Sequence, residues 1–152
     1  MPLVLVVDDD EKIRDTLYEL LSAEYLCKTA ETAEKALARL AAEAYDVVLT
    51  DISMSGLSGL ELLGQIRQNY PQTPVIIISG IGDQEHAQGL IKLGAFDYLL
   101  KPFSLEAVEK SVRRALLYRR RLLDDPQTEK LDAGESDGKD ESNSWKIVKE
   151  DS

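Results

Sequence analysis

A doubly wound α/β domain, built on a five-stranded parallel sheet with helices on both faces, is the fold that this 152-residue sequence predicts. Two observations and one general rule of chain winding predict it. Four short runs rich in Val, Ile and Leu, at residues 3–7, 45–50, 75–79 and 96–100, are apolar on both faces, as strands covered by helices on either side must be. Longer stretches with helical periodicity separate them in strict alternation. Strands and helices that alternate in this way wind through right-handed crossovers into one open sheet.

The elements follow in chain order. The first strand, 3–7, leads into a helical pattern over 11–24. Residues 25–30 form a shorter and more polar run, which suits an edge strand, with Cys27 as a small apolar residue within it. Thr32 starts a second helix, 32–44, and the third strand follows at 45–50. A third helix, 57–69, stops before Pro71 and Pro74, and Gly56 and Gly59 serve backbone turns near its start. The fourth strand, 75–79, is followed by a helix at 83–93 whose exposed face carries His86. The fifth strand, 96–100, precedes a last helix that starts at Ser104 and runs to about residue 123.

That last helix has an apolar stripe of Leu105, Val108, Val112 and Leu116, with Leu117, Leu122 and Leu123 beyond it. The stripe is longer than packing on one sheet uses up, so the helix is expected to project, either as a linker to an output domain or as a dimer contact. Its cations, Lys110, Arg113, Arg114, Arg119, Arg120 and Arg121, complement the dipole at its C-terminal end. The domain is therefore placed at 1–123 and an acidic tail at 124–152. Ten acids against four lysines in that tail, with almost nothing to bury, predict disorder. Trp145-Lys146-Ile147-Val148 interrupts it, either as part of an inert tail or as a short docking segment.

Charge and composition exclude several classes. A net charge of −10 supplies no basic surface for nucleic acid, whose phosphates dominate affinity. No apolar run approaches the ~20 residues that span a bilayer, and the opening Met1-Pro2-Leu3-Val4 is not a secretory signal. One cysteine and one histidine make a disulfide or a structural zinc site improbable, so the cytoplasm is the expected compartment.

In an open parallel sheet, ligands sit outside the carboxyl ends of the strands. Asp8, Asp9, Asp10 and Glu11 follow the first run, Asp51 the third, Ser79 lies at the fourth and Lys101-Pro102 follows the fifth. Topology gathers these scattered residues at one rim. Clustered carboxylates repel unless a counter-charge is present, and oxygen-only ligands suit Mg²⁺. Carboxylates, a hydroxyl, an ammonium and a hard cation also suit phosphoryl transfer, with a carboxylate able to serve as nucleophile.

Val6-Val7-Asp8-Asp9, Leu49-Thr50-Asp51-Ile52-Ser53-Met54, Ser79-Gly80 and Lys101-Pro102-Phe103, in that order, resemble a two-component response regulator receiver domain over about residues 3–121. The resemblance implies a flavodoxin-like sheet of order 2-1-3-4-5. It implies that Asp51 accepts a phosphoryl group from a sensor histidine kinase or histidine phosphotransfer protein. Mg²⁺ would be held by Asp9, Asp51 and the Ser53 backbone carbonyl, with Asp8 acting through water. Lys101 would pair with the phosphoryl oxygens, while Ser79 and Tyr98 would be the switch that changes the surface of helix four, strand five and helix five. The product is a signalling switch, not a metabolic enzyme, with a possible homodimer and no direct contact of this chain with nucleic acid or membrane.

Ser55 departs from the pattern, standing where proline usually follows the methionine. A different class remains as the alternative: a haloacid dehalogenase-like phosphatase using Asp8, with Asp8-Asp9-Asp10 as its Asp-x-Asp and Gly82-Asp83 as a late metal motif. Against it, the chain has no room for a cap, and Asp51 would be idle. A flavodoxin-like cofactor binder fails because strand one leads into acids rather than phosphate-cradling Gly, Ser and Thr. A phosphorylation-dead scaffold is disfavoured because every expected functional group is present.

Overall fold

Alternate residues of the central strands belong to two different cores, and this arrangement places the functional rim. The computed structural model describes residues 1–53, 58–80 and 89–124. Five parallel strands, β1 (Leu3–Val7), β2 (Leu26–Ala30), β3 (Val47–Asp51), β4 (Val75–Ser79) and β5 (Asp97–Leu100), lie in the order β2-β1-β3-β4-β5. The helices are α1 (Glu11–Ser22), α2 (Ala33–Ala42), α3 (Gly59–Asn69), four helical residues at 89–92 (α4), and α5 (Leu105–Asp124).

On one face, Leu5, Val7, Val48, Val75 and Ile77 pack with Ala36 and Leu40 of α2, Leu62, Leu63 and Ile66 of α3, and Leu90 of α4. On the other, Val4, Val6, Val47, Leu49, Ile76 and Ile78 pack with Leu17 and Leu21 of α1 and Val108, Val112 and Ala115 of α5. The two-residue period of a strand sends successive side chains to opposite faces, so both faces of β1, β3 and β4 are buried. The expected sheet order and two-faced layering are both present. The more polar 25–30 run is indeed an edge strand, its exposed Lys28 paired with Glu43.

Boundaries shift at several ends. β3 begins at Val47 rather than Tyr45: at Asp46 the side chain takes over half of the pairing, its Oδ2 accepting the Leu3 amide at 2.7 Å while its own amide donates to the Leu3 carbonyl at 2.8 Å, and Tyr45 is buried beside it. At the other end Asp51 still pairs with Ile78 of β4, so it is the last residue of β3 and not the first beyond it. Helix α3 starts at Gly59, because Ser58 caps it: Ser58 Oγ accepts the Glu61 amide, and Glu61 Oε1 accepts the Ser58 amide, a reciprocal capping box. Thr32 and Ser104 cap as expected, accepting the amides of Lys35 and Ala107. Helix α4 gives way to a turn at Gly94, whose φ of +115° only glycine adopts at little cost. The expected site neighbour Ser55, the Gly82-Asp83 pair, His86 and the 125–152 tail lie outside the described residues.

The chain divides into two units, 1–119 and 120–152. Within the first, α5 is fastened to the sheet at two levels. Asp97 of β5 accepts from Ser111 at 2.7 Å and from Arg114 at 2.5 Å, and the Phe96 and Tyr118 rings lie 5.3 Å apart. At the far end, Arg119 donates to Asp46 at 2.9 Å and to the Gln72 carbonyl at 3.0 Å. Of the second unit, the described residues are helical, 120–124.

Candidate functional site

Three carboxylates meet at the carboxyl ends of β1 and β3. Oxygens of Asp8, Asp9 and Asp51 lie within 4.8 Å of one another, with Asp8 and Asp51 buried and Asp9 exposed. The sheet order produces this juxtaposition: β1 and β3 are hydrogen-bonded neighbours, Val7 opposite Thr50, so their ends emerge side by side. Ladder bonds continue to the rim, with the Ile52 amide donating to the Ile78 carbonyl at 2.9 Å.

Lys101 reaches the cluster from the other side. Its Nζ stands 3.6 Å from Asp51 Oδ1, and its amide is held by the Ser79 carbonyl at 2.8 Å. The Lys101–Pro102 peptide is cis. Ser79, at the end of β4 between Asp51 and Lys101 in the sheet, is fully buried. Its Oγ and Asp8 Oδ2 are buried without a hydrogen-bond partner among the described residues. Buried polar atoms are normally paired, so both are poised to take a further partner.

The electrostatics follow from burial. Loss of solvent pushes the Asp8 carboxyl up to about 6, and the charges of Asp51 and Asp9 push the same way, against the Asp10 amide and Lys101. Burial likewise raises Asp51, opposed by Lys101 and by the amides of Ser53 and Ile52. Three carboxylates against one ammonium leave two negative charges, the charge a divalent cation balances. An all-oxygen donor set with an unpartnered buried carboxylate oxygen fits a hard ion such as Mg²⁺.

Of the residues expected from sequence, Asp8, Asp9, Asp51 and Lys101 converge, and Ser79 lies on the adjoining strand end. Ser53 is exposed just beyond β3. Tyr98 stands on β5, half-buried against the core formed with α2 and α3, where a strand tyrosine would pack in any case. Two further residues support the site. A Cβ on Gly59 would lie 2.2 Å from the Asp51 carbonyl oxygen, so the start of α3 presses directly on the end of β3. Arg14 Nη1 donates to the Asp8 carbonyl oxygen at 2.8 Å.

Comparison with known proteins accords with this geometry. The family described as response regulator receiver domain matches residues 4–113. The DNA-binding transcriptional regulator NtrC of Salmonella typhimurium is 44% identical over 115 residues, 75% of this chain and 24% of that protein. The receiver domain of NtrX from Brucella abortus superposes with a TM-score of 0.72 at 40% identity, covering 74% of this chain and 97% of that one. A response regulator receiver domain protein from Clostridium thermocellum gives a TM-score of 0.76 at 32% identity, over 81% and 99% of the two chains. The chain spans about a quarter of the length of the curated relatives it matches.

Proposed function

The chain belongs to the response regulator receiver domain family, with regulators of the NtrC and NtrX type among its relatives, and from that membership we propose that Asp51 is its phosphoacceptor. The supporting observation is the convergence of Asp8, Asp9 and Lys101 on Asp51, beside a buried Ser79 hydroxyl that has no partner among the described residues.

In the proposed reaction, an Asp51 carboxylate oxygen attacks the phosphorus of a phosphohistidine on a sensor kinase or phosphotransfer protein. The O–P bond of an acyl phosphate forms, the N–P bond breaks, and the released imidazole takes up a proton. Lys101 pairs with the phosphoryl oxygens as they arrive. Asp9, Asp51 and the Ser53 carbonyl would hold Mg²⁺, with Asp8 acting through water, and the ion would supply charge neutralisation for the phosphoryl group. The new dianion supplies acceptors for the Ser79 hydroxyl and for Lys101, and drawing them in gives the Tyr98 ring room to repack. The surface of α4, β5 and α5 changes as a result and passes the signal to a partner, a second copy or an output domain. The relatives' names point to control of transcription as that output, and the compartment proposed for it is the cytoplasm. Among the described residues no helix is long and apolar enough to cross a membrane.

The family match over 4–113 does not favour the phosphatase alternative. Intact mass after incubation with Mg²⁺ and acetyl phosphate, for the parent and for Asp51→Asn, separates the two. One added phosphoryl group in the parent alone is the expected result. Continuous release of phosphate, with the covalent group traced to Asp8, would overturn the proposal.

A further inference from the structure

The turn that carries two of the three carboxylates is held from four directions. The Asp8 amide donates to the Ala30 carbonyl at 3.1 Å, which ties the end of β1 to β2. The Asp10 amide donates to Asp8 Oδ1 at 2.8 Å, leaving Oδ2 as the unpartnered oxygen. Asp10 Oδ1 caps α1, accepting the amides of Lys12 and Ile13. Arg14 then closes the turn twice, its amide on the Asp10 carbonyl at 3.0 Å and its guanidinium on the Asp8 carbonyl at 2.8 Å.

The guanidinium bond acts on the peptide that joins Asp8 to Asp9. A peptide unit is planar, so fixing its carbonyl fixes the plane and with it both flanking Cα atoms. One bond from α1 thereby helps to hold the Cα atoms from which two carboxylates project, those of Asp8 and Asp9. We propose that Arg14 is a positioning residue for the acid cluster: by locking the Asp8–Asp9 peptide, it brings both carboxylates to Asp51 and raises affinity for Mg²⁺ without touching the ion or the phosphoryl group. The proposal rests on the assignment of the cluster as the Mg²⁺ site. Support of this indirect kind, one shell out from the ligands, is worth about 10–100-fold in metal affinity elsewhere.

Arg14 also borders a cavity of about 410 Å³, lined further by Thr29, Ala30, Glu31, Lys35, Ala38 and Arg39. A shortened side chain therefore opens space towards that cavity and not into either core, which makes substitution at this position an interpretable test.

Arg14→Met keeps the aliphatic stem and removes every side-chain donor, whereas Arg14→Lys retains a cationic donor group at similar reach. Mg²⁺ dissociation constants from calorimetric titration of the full chain, and the Mg²⁺ dependence of acetyl phosphate labelling, are compared with the parent. Arg14→Met should weaken Mg²⁺ about tenfold, with the labelling rate at saturating Mg²⁺ little changed, and Arg14→Lys should recover most of the loss. An unchanged dissociation constant in Arg14→Met, beside normal binding by the parent, overturns the proposal alone. A fall in the saturating rate at unchanged affinity also overturns it, because Arg14 would then act on the transfer itself. Absence of Mg²⁺ binding by the parent removes the cation assignment and the proposal together.

Discussion

Gly59 touches the backbone of Asp51 so closely that no side chain fits between them: an added Cβ would lie 2.2 Å from the Asp51 carbonyl oxygen and 2.8 Å from Ile52 Cα. The Gly59 amide donates to the Ile52 carbonyl at 3.0 Å, so the first turn of α3 is fastened to the residues that present the candidate phosphoacceptor. The requirement is one of space, set by backbone against backbone.

Gly59→Ala should therefore destabilise the domain and slow phosphoryl acceptance together. Overpacking costs about 1–3 kcal/mol, and here the atoms that must give way belong to Asp51 itself. Gly64 is the internal control, since it sits in the same helix with nothing within 4 Å of an added Cβ. Gly64→Ala should stabilise by roughly 0.5–1 kcal/mol through helix propensity and leave labelling unchanged. Thermal unfolding and acetyl phosphate labelling of both variants check this, and equal shifts in the same direction would contradict it.

Lys101 is the one described cation within ion-pair distance of Asp51. Lys101→Ala should push the Asp51 carboxyl further up, because the lysine is the foremost influence holding it down against burial. Removing a charged partner worth about 1.5–3 kcal/mol should slow labelling by roughly 10–100-fold without abolishing it. The phosphorylated variant should also lack the response at β5 and α5, because nothing then draws that strand end towards the phosphoryl group. Hydrogen exchange with and without acetyl phosphate reads both, and a normal response in the phosphorylated variant would count against the coupling.

Parts of this architecture were plain in the residues and parts were not, for physical reasons. β1 is apolar throughout and β4 is apolar up to the buried Ser79 at its end, so their limits coincide with the expected runs. β3 came out displaced because Tyr45 is as buried as a strand residue while Asp46 spends its side chain on the Leu3 amide. The catalytic candidates were legible because acids and a lysine at strand ends have few structural uses. Arg14, Arg119 and Gly59 were not singled out for these roles. An arginine on a helix looks the same whether it is solvated or bonded to a carbonyl 6 or 47 residues away. A glycine near a helix start suggests a turn, whereas Gly59 is needed for close approach to Asp51.

Arg119 and Asp46 should prove coupled in stability. Asp46 bridges the Leu3 amide and Arg119 Nε, and the guanidinium also bonds the Gln72 carbonyl, so the pair clamps α5 against the amino-terminal edge of β1, β3 and β4. The Arg119 side chain is only 14% exposed, so its loss leaves partners poorly hydrated. Arg119→Ala should cost about 1–3 kcal/mol, and a double-mutant cycle with Asp46→Ala should give a coupling of at least about 0.5 kcal/mol. Urea unfolding of the four proteins tests this; additive losses would show that the pair contributes nothing as a pair.

The acid cluster should make the metal-free protein less stable as pH rises through the weakly acidic range. Asp8 titrates near 6 in the folded chain against 3.8 when unperturbed, so between those values the folded state holds a proton that the unfolded state has lost. Stability falls with pH wherever the folded state binds more protons, and Asp51, raised as well, adds to the same slope. At about 1.4 kcal/mol per unit, Asp8 alone accounts for at most roughly 3 kcal/mol across that window. Glu31 and Glu43 are shifted down by Lys35 and Lys28 and slope the other way, but both pairs are exposed and moderate salt screens them. Excess Mg²⁺ should cancel the loss, because binding requires ionised carboxylates and so grows stronger as pH passes 6. Asp8→Asn should flatten the metal-free profile and remove most of the stabilisation by Mg²⁺. Urea unfolding across this pH range, in chelator and in Mg²⁺, reads both effects, and parallel profiles for the parent under the two conditions would show that the cluster does not bind the ion.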